Sequence, residues 1–249
     1  MPRRIALLTG LALAFFLGGD LSVHAQGSPA PALRAPEPLV ARPMPAHVKR
    51  AATGTLVVHV LPGHTVALRE TPHGPVVARL GADTEFGSPQ TFAVTRALGG
   101  RLAVITTALP NGHVGWVDAG AGALRFGRTR VAIDVDLSSR LLRVRSGGKV
   151  VRTFRVGIGA TGTPTPTGRF AITDKLSGAR YSPVYGCCIL ALSGHQTNLP
   201  RGWTGGDRLA IHGGSTYGRV STGCLHASTA DLAYLMRFVP LGTQVVIHP

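Results

Sequence analysis

Residues 131–156 read VAIDVDLSSRLLRVRSGGKVVRTFRV, and this stretch decides the fold. Val131 to Asp136 alternates apolar and polar residues, the period of a half-buried strand. Ser138-Ser139 predicts a turn, and Leu141 to Arg145 returns as a second strand. Gly147-Gly148 predicts another turn before Val150 to Val156. Three runs joined by short turns make a β-meander. Further strands are expected at Gly168–Thr173, Arg208–His212 and Thr243–Ile247. One helix is predicted from Thr229 to Val239, because Leu232, Leu235, Met236 and Val239 fall on one face. Ser228 is its expected cap, with Asp231 three residues later, and Pro240-Leu241-Gly242 stops it.

Toward the N-terminus, short β-branched runs recur at Thr55–Val60, Gln90–Thr95, Leu102–Thr107 and Val114–Val117. Turn signals separate them, among them Pro62-Gly63, Pro72-His73-Gly74 and Pro110-Asn111-Gly112. The expectation is a mostly β chain: a small barrel or sandwich over residues 53–127, then a second β unit over residues 128–249 carrying the one helix.

The first 52 residues read differently. Arg3-Arg4 precede an apolar run at residues 5–18, and Val23-His24-Ala25 supplies small residues at a cleavage site. The run is shorter than the ~20 residues that span a bilayer. Residues 1–25 are therefore expected to be a secretory signal peptide, so that membrane contact is transient. The Ala-, Pro- and Arg-rich residues 26–52 are expected to be a spacer. The chain carries a formal net charge of +15 at pH 7. An anionic partner fits that sign, and for an exported protein cell-wall polymer or phospholipid fits better than nucleic acid. The arginines are spread along the chain, which equally suits an Arg-rich proteome. The chain has only three cysteines, Cys187, Cys188 and Cys224, which excludes a disulfide framework. A bridge between the adjacent pair would need a strained geometry, so the two are expected to pack as small buried side chains, or one buried and one facing a site, leaving Cys224 unpaired.

Cys224 lies in Ser221-Thr222-Gly223-Cys224-Leu225-His226, twelve residues after His212, which ends a predicted strand. The loop between them is rich in Gly and Ser and can fold the chain back. An imidazole beside a thiol can take its proton and generate a thiolate nucleophile. The N–H groups of Gly223 and Cys224 are candidate donors to a developing oxyanion. A helix N-terminus just after Ser228 is expected to lie near the sulfur. The alternatives are a buried structural cysteine, or a zinc site of Cys224 and His226 with His212 or His195; the spacing matches no standard zinc motif. No phosphate-binding loop and no GxSxG elbow occurs. Thr163-Pro164-Thr165-Pro166-Thr167-Gly168 reads as a rigid turn.

From about Thr129 onward the chain resembles the L,D-transpeptidase (YkuD) catalytic domain. The resemblance rests on Ile133 to Ser138, Pro164 to Phe170, Ala210-Ile211-His212-Gly213, Ser221 to Leu225, and Asp231 to Ile247, in order. It implies a β-sandwich catalytic domain that acts on peptidoglycan stem peptides in the cell envelope or periplasm. Cys224 would be the nucleophile and His212 the base, with Gly213 supplying the carbonyl that orients it. Thr222 and Gly223 would support the oxyanion. Ser221, His226 and His195 are the candidates for substrate contact. No cofactor or metal is implied, and carbapenem-type β-lactams are implied inhibitors. Hydrolysis of the acyl-enzyme would make the protein an L,D-carboxypeptidase, and loss of chemistry a wall-binding protein. Residues 53–127 resemble an SH3-like barrel. Two features depart from the family: His226 stands where Arg is usual, and the loop from His212 to Cys224 is short.

Overall fold

The computed structural model describes residues 54–249. The expected signal peptide and spacer lie outside the described residues. The order begins with β1 (Thr55–Val60), β2 (Val66–Arg69), β3 (Val76–Leu80), β4 (Thr91–Leu98), β5 (Arg101–Ile105), β6 (Gly115–Asp118) and β7 (Leu124–Thr129). These form one seven-stranded sheet in the order β3-β2-β6-β5-β4-β1-β7. The sheet closes on its own apolar cluster of Val58, Leu68, Phe92, Leu102, Val104 and Val117. Strand β7 pairs with β1 as far as Thr129, two residues past the expected boundary at residue 127.

The second region starts with the meander β8 (Val131–Asp136), β9 (Leu141–Ser146) and β10 (Lys149–Arg155). After β11 (Ile158–Gly159) come the long strands β12 (Gly168–Ser177), β13 (Cys188–His195) and β14 (Arg208–Gly213). Short strands β15 (Arg219–Ser221) and β16 (Leu225–Ala227), helix α1 (Thr229–Phe238) and β17 (Gln244–His248) complete it. Eight strands run β10-β9-β8-β17-β12-β13-β14-β16, and β11 pairs separately with β15. The chain is mostly β with one α-helix among the described residues, as the periodicity predicts. Alternation is visible in β8, whose Val131, Ile133 and Val135 are buried while the residues between are half-exposed. The core adds Leu142 and Val144, Phe170, Ile172, Leu190 and Ile211, and Leu232 and Leu235 from the helix.

Strand β13 is absent from the periodicity. Residues Ile189 to Gly194 are buried without alternation. Helix α1 packs against this strand and β14, so its pattern lacks the polar face by which a strand is recognised. The cysteine pair at its start corrects a second expectation. Cys187 and Cys188 form a disulfide, and Cys187 is exposed where the chain leaves a 3₁₀ turn at Pro183–Tyr185. Cys188 is half-buried against the core of the second sheet, whereas Cys187 sits on a surface turn that offers it no apolar interior.

The two sheets share buried contact. Ala93 and Ile105 of the first cluster with Ala171 of the second, each nearly inaccessible. The Asn111 side chain pairs with the backbone of His195, donating to its carbonyl at 2.6 Å and accepting from its N–H at 2.8 Å.

Candidate active site

Strands β14 and β16 run parallel, with Ile211 opposite Leu225 and His212 opposite His226. Register partners in a sheet point to the same side. The two imidazoles therefore meet, with ring centroids 4.7 Å apart. Cys224, two residues before His226, enters the same side. Cys224, His212 and His226 all line one cavity of about 450 Å³. Crossing back through β15 and a tight turn brings together two residues twelve apart in the chain.

His212 is buried, and its Nδ1 donates to the Gly213 carbonyl at 2.8 Å. A carbonyl only accepts, so the proton is on Nδ1 and the lone pair on Nε2. The Tyr185 ring stands edge-on to the imidazole at 4.9 Å. Burial lowers the His212 pKa to about 4, helped by His226 and opposed by the Gly213 hydrogen bond. Burial likewise pushes the Cys224 thiol up to about 11. The pair thus rests as neutral imidazole and neutral thiol, not as the thiolate–imidazolium pair expected from the sequence. The sulfur lies 3.9 Å from the Arg208 carbonyl, which the thiol proton can face. His226 is also lowered by burial, and its Nδ1 has no hydrogen-bond partner among the described residues. Its ring packs over Gly214, where a Cβ would collide with it.

The turn before the nucleophile is held by Ser221. Its hydroxyl donates to the Cys224 carbonyl at 2.5 Å and accepts from the Gly223 N–H at 3.1 Å. The Gly223 N–H is therefore engaged and cannot also serve an oxyanion. The Cys224 N–H, without such a partner among the described residues, is the backbone donor beside the sulfur. Ser221 is a wall of the cavity, but its polar atom serves the turn. Gly223 has φ +119°, and any Cβ there would overlap the Gln196 amide. Gln196 is a residue the sequence does not reveal. Its buried Nε2 donates to the carbonyls of Thr222 and Pro164, each at 3.0 Å. One amide thus ties the nucleophile turn to the Thr163–Gly168 segment, and the Thr163 hydroxyl of that segment also donates to the Ser221 carbonyl at 3.1 Å.

Two further expectations are corrected. His195 does not line the cavity. Its Nδ1 meets Asp207 Oδ2 of its own region at 3.0 Å and its Nε2 meets the Thr107 carbonyl of the first region at 2.8 Å, so both nitrogens are engaged and one of them bridges the junction between the sheets. The helix N-terminus is not behind Cys224, because β16 intervenes. Ser228 accepts from the Asp231 N–H at 3.1 Å and donates to its carboxylate at 2.6 Å, which caps the first turn internally. No cluster of three metal-ligating side chains occurs among the described residues.

Residues 130–247 match the family model of the YkuD L,D-transpeptidase catalytic domain. A Bacillus licheniformis protein whose name assigns it to the L,D-transpeptidases as YkuD is 31% identical over 123 residues, 47% of this chain and 65% of that protein. The chain thus spans under two thirds of that relative. Among solved structures, an L,D-transpeptidase from Stackebrandtia nassauensis is similar at 22% identity and a TM-score of 0.36, covering 49% of this chain and 57% of that one. The L,D-transpeptidase LdtMt1, solved with imipenem, is similar at 17% identity and a TM-score of 0.41, covering 62% and 97%.

Proposed function

With a YkuD L,D-transpeptidase catalytic domain at residues 130–247, we propose that this protein is an exported cysteine acyltransferase that cross-links peptidoglycan stem peptides. The observation that carries it is the meeting of His212 and Cys224 in one cavity through the parallel β14–β16 pairing.

The neutral resting pair sets the order of events. Cys224 Sγ attacks the carbonyl of the L-centred residue of a donor stem, and its proton passes to Nε2 of His212 as the S–C bond forms. The Cys224 N–H donates to the developing oxyanion. Collapse of the tetrahedral intermediate breaks the C–N bond, and the leaving D-Ala amine takes the proton from Nε2. A thioester remains. An amine of a neighbouring stem then attacks it, His212 accepts that proton, and Cys224 regains it as the thiolate leaves. Water in place of the amine gives the L,D-carboxypeptidase outcome. Holding Nε2 free and neutral at pH 7 suits His212 to accept a proton in the transition state. The Gly213 carbonyl keeps the ring in that tautomer.

The apolar leader supports export, and the spacer after it suits a catalytic unit held off the membrane. Imipenem bound to an L,D-transpeptidase supports acylation of Cys224 by carbapenems. Intact-mass measurement after carbapenem exposure tests the nucleophile: one adduct is expected, absent in Cys224→Ala. Incubation with a stem tetrapeptide should release D-Ala and yield a dimer. No adduct and no release from folded protein overturns the reading in favour of a wall-binding protein, and loss of activity to a chelator would indicate a zinc hydrolase. N-terminal sequencing of exported protein should begin at Gln26.

A further inference from the structure

The cavity has a wall that the catalytic region does not supply. Phe86, from the turn between β3 and β4, lines it with Cys224 and His212. Its ring stands edge-on to Tyr181 at 6.1 Å, and the Arg208 guanidinium lies 5.6 Å from its centroid. Phe86 is half-buried yet contributes nothing to the apolar core of its own sheet. A large apolar side chain turned away from its own core needs a different partner.

The turn is built to hold that orientation. The Thr84 N–H donates to the Ser88 carbonyl at 2.8 Å, and the Gly87 N–H to the Thr84 carbonyl at 3.0 Å. Thr84 Oγ1 accepts from the N–H groups of Phe86 and Ser88, at 3.3 and 3.1 Å. The same hydroxyl donates to Asp174 Oδ1, a carboxylate with no exposure in the middle of β12. Beside it Glu85 pairs with Arg208. Arg208 in turn donates to the Leu192 carbonyl at 2.8 Å and to Thr173 Oγ1 at 2.8 Å. Its own carbonyl is the one facing the Cys224 sulfur. The turn is thus anchored through Thr84 and Glu85, just before Phe86, and one of their two partners, Arg208, reaches the nucleophile's sulfur through its carbonyl.

We propose that Phe86 is a specificity-determining residue, contributed by the N-terminal sheet, that packs against the aliphatic part of a peptide acylating Cys224. Tyr181, Val184, Leu199 and Trp203 line the same cavity and complete an aromatic and aliphatic cleft. Such a cleft takes the side-chain methylenes of a bound peptide and excludes water from the acyl centre. The N-terminal sheet is on this view a part of the active site. The proposal rests on the acyl-transfer reading above.

The test uses the full chain and a synthetic stem tetrapeptide ending in a diamino acid and D-Ala. Phe86→Ala should raise KM about 10-fold with kcat within about two-fold, as for truncation of a buried aromatic anchor. Phe86→Leu should recover most of the loss, because aliphatic area and not ring chemistry is at stake. Alkylation of Cys224 by iodoacetamide, too small to need the cleft, should not slow. An unchanged KM in Phe86→Ala with turnover intact overturns the proposal alone. If the wild type does not turn the peptide over, calorimetric binding decides. Weaker binding by Phe86→Ala then keeps the cleft and sinks only the acyl-transfer reading, whereas no wild-type binding sinks both.

Discussion

The two sheets are built from the same materials and do different things. Each closes on its own apolar cluster, and each is made of short strands joined by Gly- and Pro-rich turns. The N-terminal sheet offers the site one hydrophobic side chain on an anchored turn. The C-terminal sheet offers a thiol and two imidazoles, all partly withdrawn from water. Parallel pairing makes the difference. Every assigned pairing in the first sheet is antiparallel. In the second, β14 pairs parallel with β16 after a crossover, which sets residues from separate strands side by side on one face. Parallel neighbours cannot be joined by a tight hairpin, so the chain crosses over through β15 between them.

The largest expected effect breaks the contrast outright. Cys224→Ala should lower kcat/KM by about 10⁴-fold or more while the melting temperature stays within a few degrees. Turnover of a stem tetrapeptide and a thermal scan check both halves. A similar loss on substitution in the N-terminal sheet would show the two regions to be misassigned.

His212→Gln follows, with an expected loss of about 10²–10⁴-fold. Its pH behaviour sharpens the point. The unfolded chain binds a proton at an ordinary histidine pKa of about 6.5, the folded chain only at about 4. The contribution of His212 to stability is thus complete above pH 6.5 and is lost as pH falls from there through 4. The full penalty approaches ~3 kcal/mol, so between those limits the wild type should lose more stability than His212→Gln in denaturant titrations. Activity should persist below pH 6 and fall near pH 4.

At pH 7, alkylation of Cys224 by iodoacetamide should run about 100-fold slower than that of a free thiol, since few thiolates are present. The rate should climb steadily up to about pH 11. A fast reaction at neutral pH would restore the ion-pair picture. Gln196→Leu removes the amide between Thr222 and Pro164 and should cost about 10-fold in kcat, together with ~1–3 kcal/mol for buried carbonyls left unpaired. The smallest effect returns to the N-terminal sheet. Thr84→Val releases the turn from Asp174 and should cost ~1–2 kcal/mol, with KM raised a few-fold and kcat unchanged.

The sequence exposed much of this and hid the rest for definite reasons. Alternation marks β8 and β9 because one face of each is wet. Turn chemistry marks the meander, and the i, i+3, i+4, i+7 stripe with its Ser228 cap marks α1. Strand β13 has no wet face and therefore no pattern. Gln196 looks like any loop glutamine, because its importance lies in three carbonyls from other segments. His195 and His212 are alike in the chain. One faces two acceptors at the junction of the sheets, and the other faces a carbonyl and a cavity.

The sequence by itself determined a mostly β chain, an apolar run at residues 5–18, and the pairing of a lone cysteine with a strand-end histidine, since these rest on local periodicity and motif spacing. Tertiary structure alone decided the protonation of that pair, because a pKa reflects burial and neighbours that spacing does not contain. It also decided that a phenylalanine from the other sheet faces the nucleophile's cavity, because that contact joins residues more than a hundred positions apart and leaves no trace in either segment.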